Sequence, residues 1–310
     1  MEPLVSVVIP TFNRSILVKR AIHSSLIQTL KEIEVIVVID GPDEATRAGL
    51  AEINDPRLNV VELPTSRGAN QARNAGISAA KGEWIALLDD DDEWLPQKLE
   101  VQIKAASRSP HACPIITCRL IARSPKGEFI WPRRLPTSAE PLSEYLLARN
   151  SLFQGEGLIQ TSMLFTKREL LQKLPFRNDL TKYHEWDWLL RVSHLTGVAI
   201  EFVPEPLLIW YIEENRQSLS YSSSWQNSLS WIQENRHLVT PRAYAAFIMT
   251  VVSMLAANER DWMAFGTLLR EAVQFGKPKA IDFLLYTGMW LIPQDDRRKL
   301  RALLEKVRKK

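Results

Sequence analysis

Four consecutive aspartates, Asp89-Asp90-Asp91-Asp92, stand at the end of the apolar run Trp84–Asp89 (WIALLD). Adjacent carboxylates repel one another when ionised and unpaired. A divalent cation offsets that repulsion. Hard oxygen ligands suit Mn2+ or Mg2+, which commonly take one or two carboxylates together with phosphate oxygens. Side-chain alternation beyond a strand sends Asp89 and Asp91 to the same side. The plainer reading is an acidic turn that caps the next helix, with Asp92 near its N-terminus. A second aspartate, Asp40, closes the run Glu34–Asp40 (EVIVVID) and precedes the turn signal Gly41-Pro42; capping that turn is its plainer reading. A third acidic group lies in HEWDWLLR, residues 184–191. Glu185 and Asp187 are two apart and face different sides of a helix, so at most one points into a site. Asp187 is spaced to pair with Arg191 four residues on. Trp188 reads as core; His184 or Trp186 can line a pocket.

These groups need elements to position them. Val5–Pro10 (VSVVIP) reads as a buried strand, followed by a helix capped by Asn13 or Ser15 with Val18, Ile22, Leu26 and Leu30 recurring every four residues. Glu34–Asp40, Leu58–Leu63 and Trp84–Asp89 are further strands. An alanine-rich helix over Ala69–Ala80 is closed by Lys81-Gly82, and another helix starts at Pro96. Strands that are apolar throughout and alternate with helices predict a mostly parallel sheet covered on both faces. Ligands in open α/β sheets bind along the C-terminal edge of the strands, and that edge collects Asp40 and Asp89–Asp92 in one crevice. Downstream, Ile115–Ala122, Glu128–Trp131, Gly157–Thr166, Ile200–Val203 and Leu207–Ile212 read as strands. Lys167–Leu174 and His184–Leu195 read as helices. A polar, serine-rich stretch and then helices broken at Thr240-Pro241, Gly276–Pro278 and Pro293 divide the chain into an α/β domain over 1–215 and a helical region over 216–310.

The ordered set VSVVIPTFNR, EVIVVIDGPDEAT, GANQARNAGI, GEWIALLDDDDEWLPQKL and HEWDWLLR resembles the family 2 inverting glycosyltransferases of the GT-A fold, over roughly residues 4–215. The resemblance implies roles residue by residue. Pro10, Thr11 and Asn13 or Arg14 would border the nucleotide base and ribose, and Asp40 would contact the base. Arg67, Arg73 and Asn74 would help to hold the nucleotide. Asp89 and Asp91 match the DxD pair, the first toward ribose or sugar and the second toward the metal, with Asp90 in the variable middle position. Glu185 falls where many relatives carry the aspartate that acts as catalytic base; its additional methylene changes reach, not chemistry. Without the resemblance, Arg73 reads equally as a solvated helix residue. The implied reaction is transfer of a sugar from a nucleotide diphosphate donor, UDP-sugar by family expectation, to a glycan or lipid-linked hydroxyl, with inversion and with Mn2+ or Mg2+ as cofactor.

Competing classes lack their signals. A nucleotidyltransferase would want a glycine-rich, lysine-bearing phosphate loop after the first strand, which TFNRS does not supply. An aspartyl phosphatase would carry its aspartate pair early, whereas the first strand ends in Ile9-Pro10. A non-catalytic sugar-binding relative would have no need to retain both the acidic run and a carboxylate at 185.

Composition sets the remaining expectations. The 310 residues are 45% hydrophobic and 24% charged, as in an ordinary globular chain. The net charge of +3 is the sum of +7 over residues 297–310 and −4 over the rest. A mildly acidic body points away from nucleic acid. The basic end is suited to peripheral contact with an anionic membrane or an acidic partner, or simply to solvation. Cys113 and Cys118 alone form neither a zinc pattern nor a disulfide framework. With no signal-peptide pattern and no long uninterrupted apolar window, a cytoplasmic protein is expected, peripheral at most. Ser218–Ser224, with Arg216 before it, is expected to be either a lid over the donor or a linker.

Overall fold

The structure, a computed structural model, describes residues 2–125, 127–152, 155–212, 224–292 and 296–297. The lid expectation for residues 216–223 and the basic segment 298–310 lie outside the described residues. The chain divides into two compact units, Met1–Leu135 with Ile159–Ser218, and Pro136–Leu158 with Leu219–Lys310. The segment 136–158 therefore groups with the C-terminal helices and not with the strands that flank it in sequence.

The first unit begins with β1 (Val5–Thr11), α1 (Ser15–Leu26), β2 (Ile33–Ile39), α2 (Glu44–Ala51), β3 (Leu58–Glu62), α3 (Ala69–Ala79) and β4 (Trp84–Leu87). It continues with β5 (Glu93–Trp94), α4 (Lys98–Ala106), and the antiparallel hairpin β6 (Cys113–Ser124) and β7 (Gly127–Trp131). In chain order, α5 (Leu142–Leu147) of the second unit comes next. The first unit resumes with a 3-10 turn (Thr161–Met163), β8 (Phe165–Lys167), α6 (Arg168–Lys173), α7 (His184–Val192) and β9 (Val198–Tyr211). Sheet order is β3-β2-β1-β4-β8-β6-β9-β5, with β7 added on β6. The first four strands are parallel. Every residue of β1 and β2 is buried, which is why their sequences show no polar alternation. Helix α3 lies close against this layer because Gly76 permits it: a Cβ there would stand 2.5 Å from Val8 Cγ1.

Two segments depart from the sequence expectation. Gly157–Thr166 is not one strand. It turns at Thr161–Met163, which places the Ser162 hydroxyl against the acidic run, and only Phe165–Lys167 pairs in the sheet, antiparallel to β4. Ile200–Val203 and Leu207–Ile212 are not separate strands. They are parts of β9, which carries Pro204 and Pro206 through the register shifts of its pairing with β6 between Thr117 and Ile121. Bulges are where a sheet tolerates a residue without an N–H. Helix α2 was not expected; Asp43 caps it, accepting the Thr46 N–H at 3.0 Å.

The second unit contains α5, α8 (Trp225–Glu234), α9 (Pro241–Phe247), a π-helical turn (Ile248–Val252), α10 (Ser253–Asn258), α11 (Met263–Phe275) and α12 (Ala280–Leu291). Ser224 and Thr240 cap α8 and α9 through their hydroxyls. Tyr244, Phe247, Ile248, Met249 and Val252 form its core, and Arg242 pairs with buried Asp282 at 2.6 Å. Among the described residues no helix is long and apolar enough to cross a membrane.

Candidate active site

Strands β1 and β4 are neighbours and parallel, so their C-terminal ends open on one side of the sheet. Beyond β4 the acidic run alternates in exposure: Asp90 and Asp92 are buried, while Asp89 and Asp91 remain partly accessible. Thr11, from the end of β1, donates its hydroxyl to Asp90 Oδ2 at 2.8 Å. Arg14 bridges Asp90 and Asp91 at 2.8 and 3.1 Å. Arg20, one and a half turns further along α1, donates to the Asp91 carbonyl. Its guanidinium lies 3.9 Å from the centre of the Tyr211 ring, whose hydroxyl donates to Glu93 at 2.6 Å.

Helix α3 ties this acidic run to the approach to α7. Arg73 Nη2 donates to Asp89 Oδ1 at 2.6 Å, and its Nη1 donates to Asn70 Oδ1 at 3.0 Å. The Asn70 amide then donates to the carbonyls of Arg177 and Leu180, both at 2.8 Å. One turn along, Asn74 donates to the Phe176 carbonyl at 2.8 Å and accepts the Phe176 N–H at 3.1 Å. Residues four apart share a helix face, so these two asparagines clamp the segment 176–180 that leads into α7. The chain enters α7 through Tyr183 in the left-handed region (φ 60°), a conformation that non-glycine residues rarely adopt.

At the start of α7, His184 Nε2 stands 3.3 Å from Glu185 Oε2 and 3.3 Å from Thr161 Oγ1. Burial pushes the imidazole below its usual range, against the opposing pull of Glu185; the Arg73 cation adds to the depression and Asp89 opposes it. The histidine is thus within electrostatic reach of the Arg73–Asp89 pair. Asp187 faces away and is fully buried, accepting from Arg191 at 2.7 Å, and Trp188 is core, donating to the Leu174 carbonyl at 2.7 Å.

Asp40 is also buried. It accepts from Ser66 Oγ at 2.8 Å, Arg67 N at 2.9 Å and Gly68 N at 2.8 Å, and so shapes the turn that opens α3. Gly41 makes this turn possible: it has φ 101°, and a Cβ there would lie 2.6 Å from Ser66 N. The Arg67 side chain is exposed, with its Nε on Thr65 Oγ1 at 3.3 Å. Asn13, exposed and at φ 54°, donates its backbone N–H to Asp43 at 2.7 Å; Pro10 is buried within β1.

Burial, opposed by Arg14 and reinforced by Asp91, holds the Asp90 carboxyl at about 6. Complete burial, then the neighbouring Asp91 and Asp89, pushes Asp92 well above the usual carboxylate range. The acidic run is therefore offset within the protein by three arginines, and charge repulsion alone does not demand an ion. What fits an ion is the donor set. Asp89 and Asp91 are accessible hard-oxygen ligands, and no protein donor among the described residues is bonded to Asp89 Oδ2. No group of three or more His, Cys, Asp or Glu side chains converges among the described residues. That arrangement suits Mg2+ or Mn2+ completed by phosphate and water better than a closed protein cage.

Sequence reasoning missed Ser162, Arg20 and Thr161. The Ser162 hydroxyl accepts the Asp89 N–H at 3.0 Å and donates to Asp92 Oδ2 at 2.6 Å. No local signal marks it, since it acts some 70 residues from its partners.

A sheet whose open edge presents two accessible carboxylates beside arginines, with a further carboxylate at a nearby helix N-terminus, has the layout of a GT-A nucleotide-sugar transferase. Residues 6–175 match the profile of glycosyl transferase family 2, and the chain belongs to that family. It is 31% identical over 217 residues to the succinoglycan biosynthesis protein ExoO of Rhizobium meliloti (strain 1021), spanning 68% of this chain and 62% of ExoO. It is 31% identical over 224 residues to the putative colanic acid biosynthesis glycosyl transferase WcaA of Escherichia coli (strain K12), spanning 70% and 72%. In three dimensions it resembles the mannosyltransferase PcManGT from Pyrobaculum calidifontis, solved with GDP-Man and Mn2+, with TM-score 0.60 and 18% identity over 97% of this chain and 84% of that one. It also resembles S. aureus TarS 1-349, with TM-score 0.57 and 18% identity over 99% and 92%. At such identities these two structures establish the GT-A fold.

Proposed function

We propose that this chain transfers a sugar from a UDP-sugar to a hydroxyl of a growing polysaccharide or lipid-linked glycan, with inversion at the anomeric carbon. One observation carries the reading: Arg73 bonds Asp89 of the acidic run and Asn70, and Asn70 holds the carbonyls of Arg177 and Leu180 in the segment that leads into the helix bearing Glu185. A donor-holding carboxylate and a candidate base are thereby organised by the same helix.

A divalent ion on Asp89 and Asp91 would supply Lewis-acid neutralisation of the departing diphosphate. Arg14 and Arg20 keep Asp91 in place through its carboxylate and its carbonyl, and Arg73 does the same for Asp89. Thr11, Asn13, Arg14 and Arg67 border the nucleotide, and Asp40 keeps the 66–68 turn in shape beside it. Glu185 takes the proton from the acceptor hydroxyl as that oxygen attacks the anomeric carbon. A single in-line displacement of this kind inverts the centre. His184, held neutral by burial, can donate from Nε2 to Glu185 and orient it.

The donor reading has support from relatives. TarS was solved with UDP and with UDP-GlcNAc. A 100-residue stretch is 37% identical to the Escherichia coli enzyme WfgD, whose name specifies UDP-Glc and a diphosphoundecaprenol-linked acceptor. ExoO and WcaA carry polysaccharide names. The test is release of nucleoside diphosphate from a panel of nucleotide-sugars with and without Mn2+, alongside thermal stabilisation by UDP. Stabilisation by UDP is expected only with Mn2+ or Mg2+. Equal stabilisation in EDTA would remove the metal, and no response to any nucleotide-sugar would remove the transferase reading.

A further inference from the structure

Helix α12 has an outer face without charge. Its exposed residues are Ala280, Phe283, Leu284, Thr287 and Leu291, with Leu284 59% and Leu291 69% accessible. Its one ionisable acid, Asp282, is fully buried against Arg242. A surface helix of a globular protein ordinarily turns a polar face outward. Beside α12, at the start of α11, Trp262 is 59% and Met263 87% accessible, and the Trp262 ring lies 5.4 Å from that of Trp290. Tyr286 and Phe265 join the same aromatic cluster, so the two helices present one apolar surface. A contiguous surface of this kind marks a contact site, unlike scattered exposed apolar residues.

The charges nearby in sequence say what covers it. Between Met263 and Phe283, Arg270, Lys277 and Lys279 are exposed, while the acids are half-buried Glu271, which accepts from Gln233 and Tyr244, and buried Asp282. Six residues after Leu291 begins the segment 297–310 with its charge of +7. Within it, Leu300, Leu303, Leu304 and Val307 recur at helical spacing among the basic residues, the pattern of a membrane-surface sequence. Pairing of two copies through this face would bring Lys279, at the start of α12, and the basic residues before it toward their counterparts, which disfavours a dimer. We infer that the outer face of α12, with Trp262 and Met263, seats in the headgroup layer of a membrane containing anionic lipid. Tryptophan is the residue type enriched at that depth, and each nearby Lys or Arg raises partitioning to an anionic surface about fivefold.

The experiment is flotation of the full chain with phosphatidylcholine vesicles, with and without phosphatidylglycerol, at low and high salt. Binding is expected on the anionic vesicles, weak on the neutral ones and reduced by salt. The triple variant Phe283→Ser, Leu284→Ser, Leu291→Ser should lose at least about tenfold in binding. Its melting temperature should hold, because the three side chains are exposed. Arg270→Glu with Lys277→Glu is a second variant, expected to bind at least about 25-fold more weakly. Nucleotide release in solution should be unchanged in both, so this inference can fail without touching the proposed reaction. Absence of vesicle binding by the wild type, or full binding by the triple variant, overturns it. So does a concentration-dependent dimer that the triple variant abolishes while vesicle binding persists.

Discussion

Replacing Ser162 by alanine isolates the tertiary support of the acidic run. The hydroxyl is fully buried and makes two bonds, accepting the Asp89 N–H at 3.0 Å and donating to Asp92 Oδ2 at 2.6 Å. Asp92 Oδ1 already lacks a hydrogen-bond partner among the described residues, so the variant leaves that carboxyl without any side-chain hydrogen bond. The Asp89 N–H loses its acceptor as well. Stranding a buried polar group costs about 1–3 kcal/mol, and two are stranded, so a loss of roughly 2–6 kcal/mol is expected. Urea unfolding should show a lower midpoint at unchanged slope. Because the lost bond fixes the Asp89 backbone, stabilisation by UDP with Mn2+ should shrink in parallel. A change in stability under about 0.5 kcal/mol, the scale of a neutral surface substitution, would refute the reasoning. It would mean that the two groups find other partners at no cost.

Three further outcomes are expected. Asp90 has its carboxyl at about 6, raised from an ordinary 3.8, so the native state binds the additional proton between those values. The contribution of Asp90 to the unfolding free energy of the metal-free protein should then fall by about 2 kcal/mol as pH rises from 4 to 6, with the last ~0.4 kcal/mol lost by about pH 7; Asp90→Asn should make the slope shallower by that amount, and an unchanged profile would show that Asp90 is not its source. Glu185→Gln should lower turnover by about 10²–10⁴-fold with UDP stabilisation retained, and loss of both would make Glu185 a binding residue. Gly41→Ala combines a forbidden φ of 101° with a Cβ at 2.6 Å from Ser66 N, and should cost roughly 2–4 kcal/mol, read as a drop in melting temperature.

Local pattern was enough for the four parallel strands and for α1, α3 and α4, though not for the short α2. The short runs at Val5–Pro10 and Glu34–Asp40, rich in valine and isoleucine and bounded by turn signals, read as strands buried on both faces, and their alternation with helices sets them parallel. Strand ends then locate Asp40, Asp89 and Asp91 on one edge, and the i, i+4 spacing of Asp187 and Arg191 announced an ion pair that forms at 2.7 Å. The segment 157–166 was illegible because its conformation answers to Asp89 and Asp92, distant in the chain. The 198–211 strand was hidden by two prolines that only a bulged partner strand accommodates.

Residue type, spacing and order thus determined the family, the strand edge and the identity of the carboxylates. Only the tertiary structure decided which charges those carboxylates meet. From the sequence, four adjacent aspartates pointed to a divalent cation or to an acidic turn capping the next helix. In the fold, Arg14 and Arg20, at the start of and within α1, and Arg73 on α3 converge on them, and burial pushes Asp92 well above the usual carboxylate range. Ionisation depends on burial and on groups brought within a few ångströms by packing, and neither quantity is written in the local sequence.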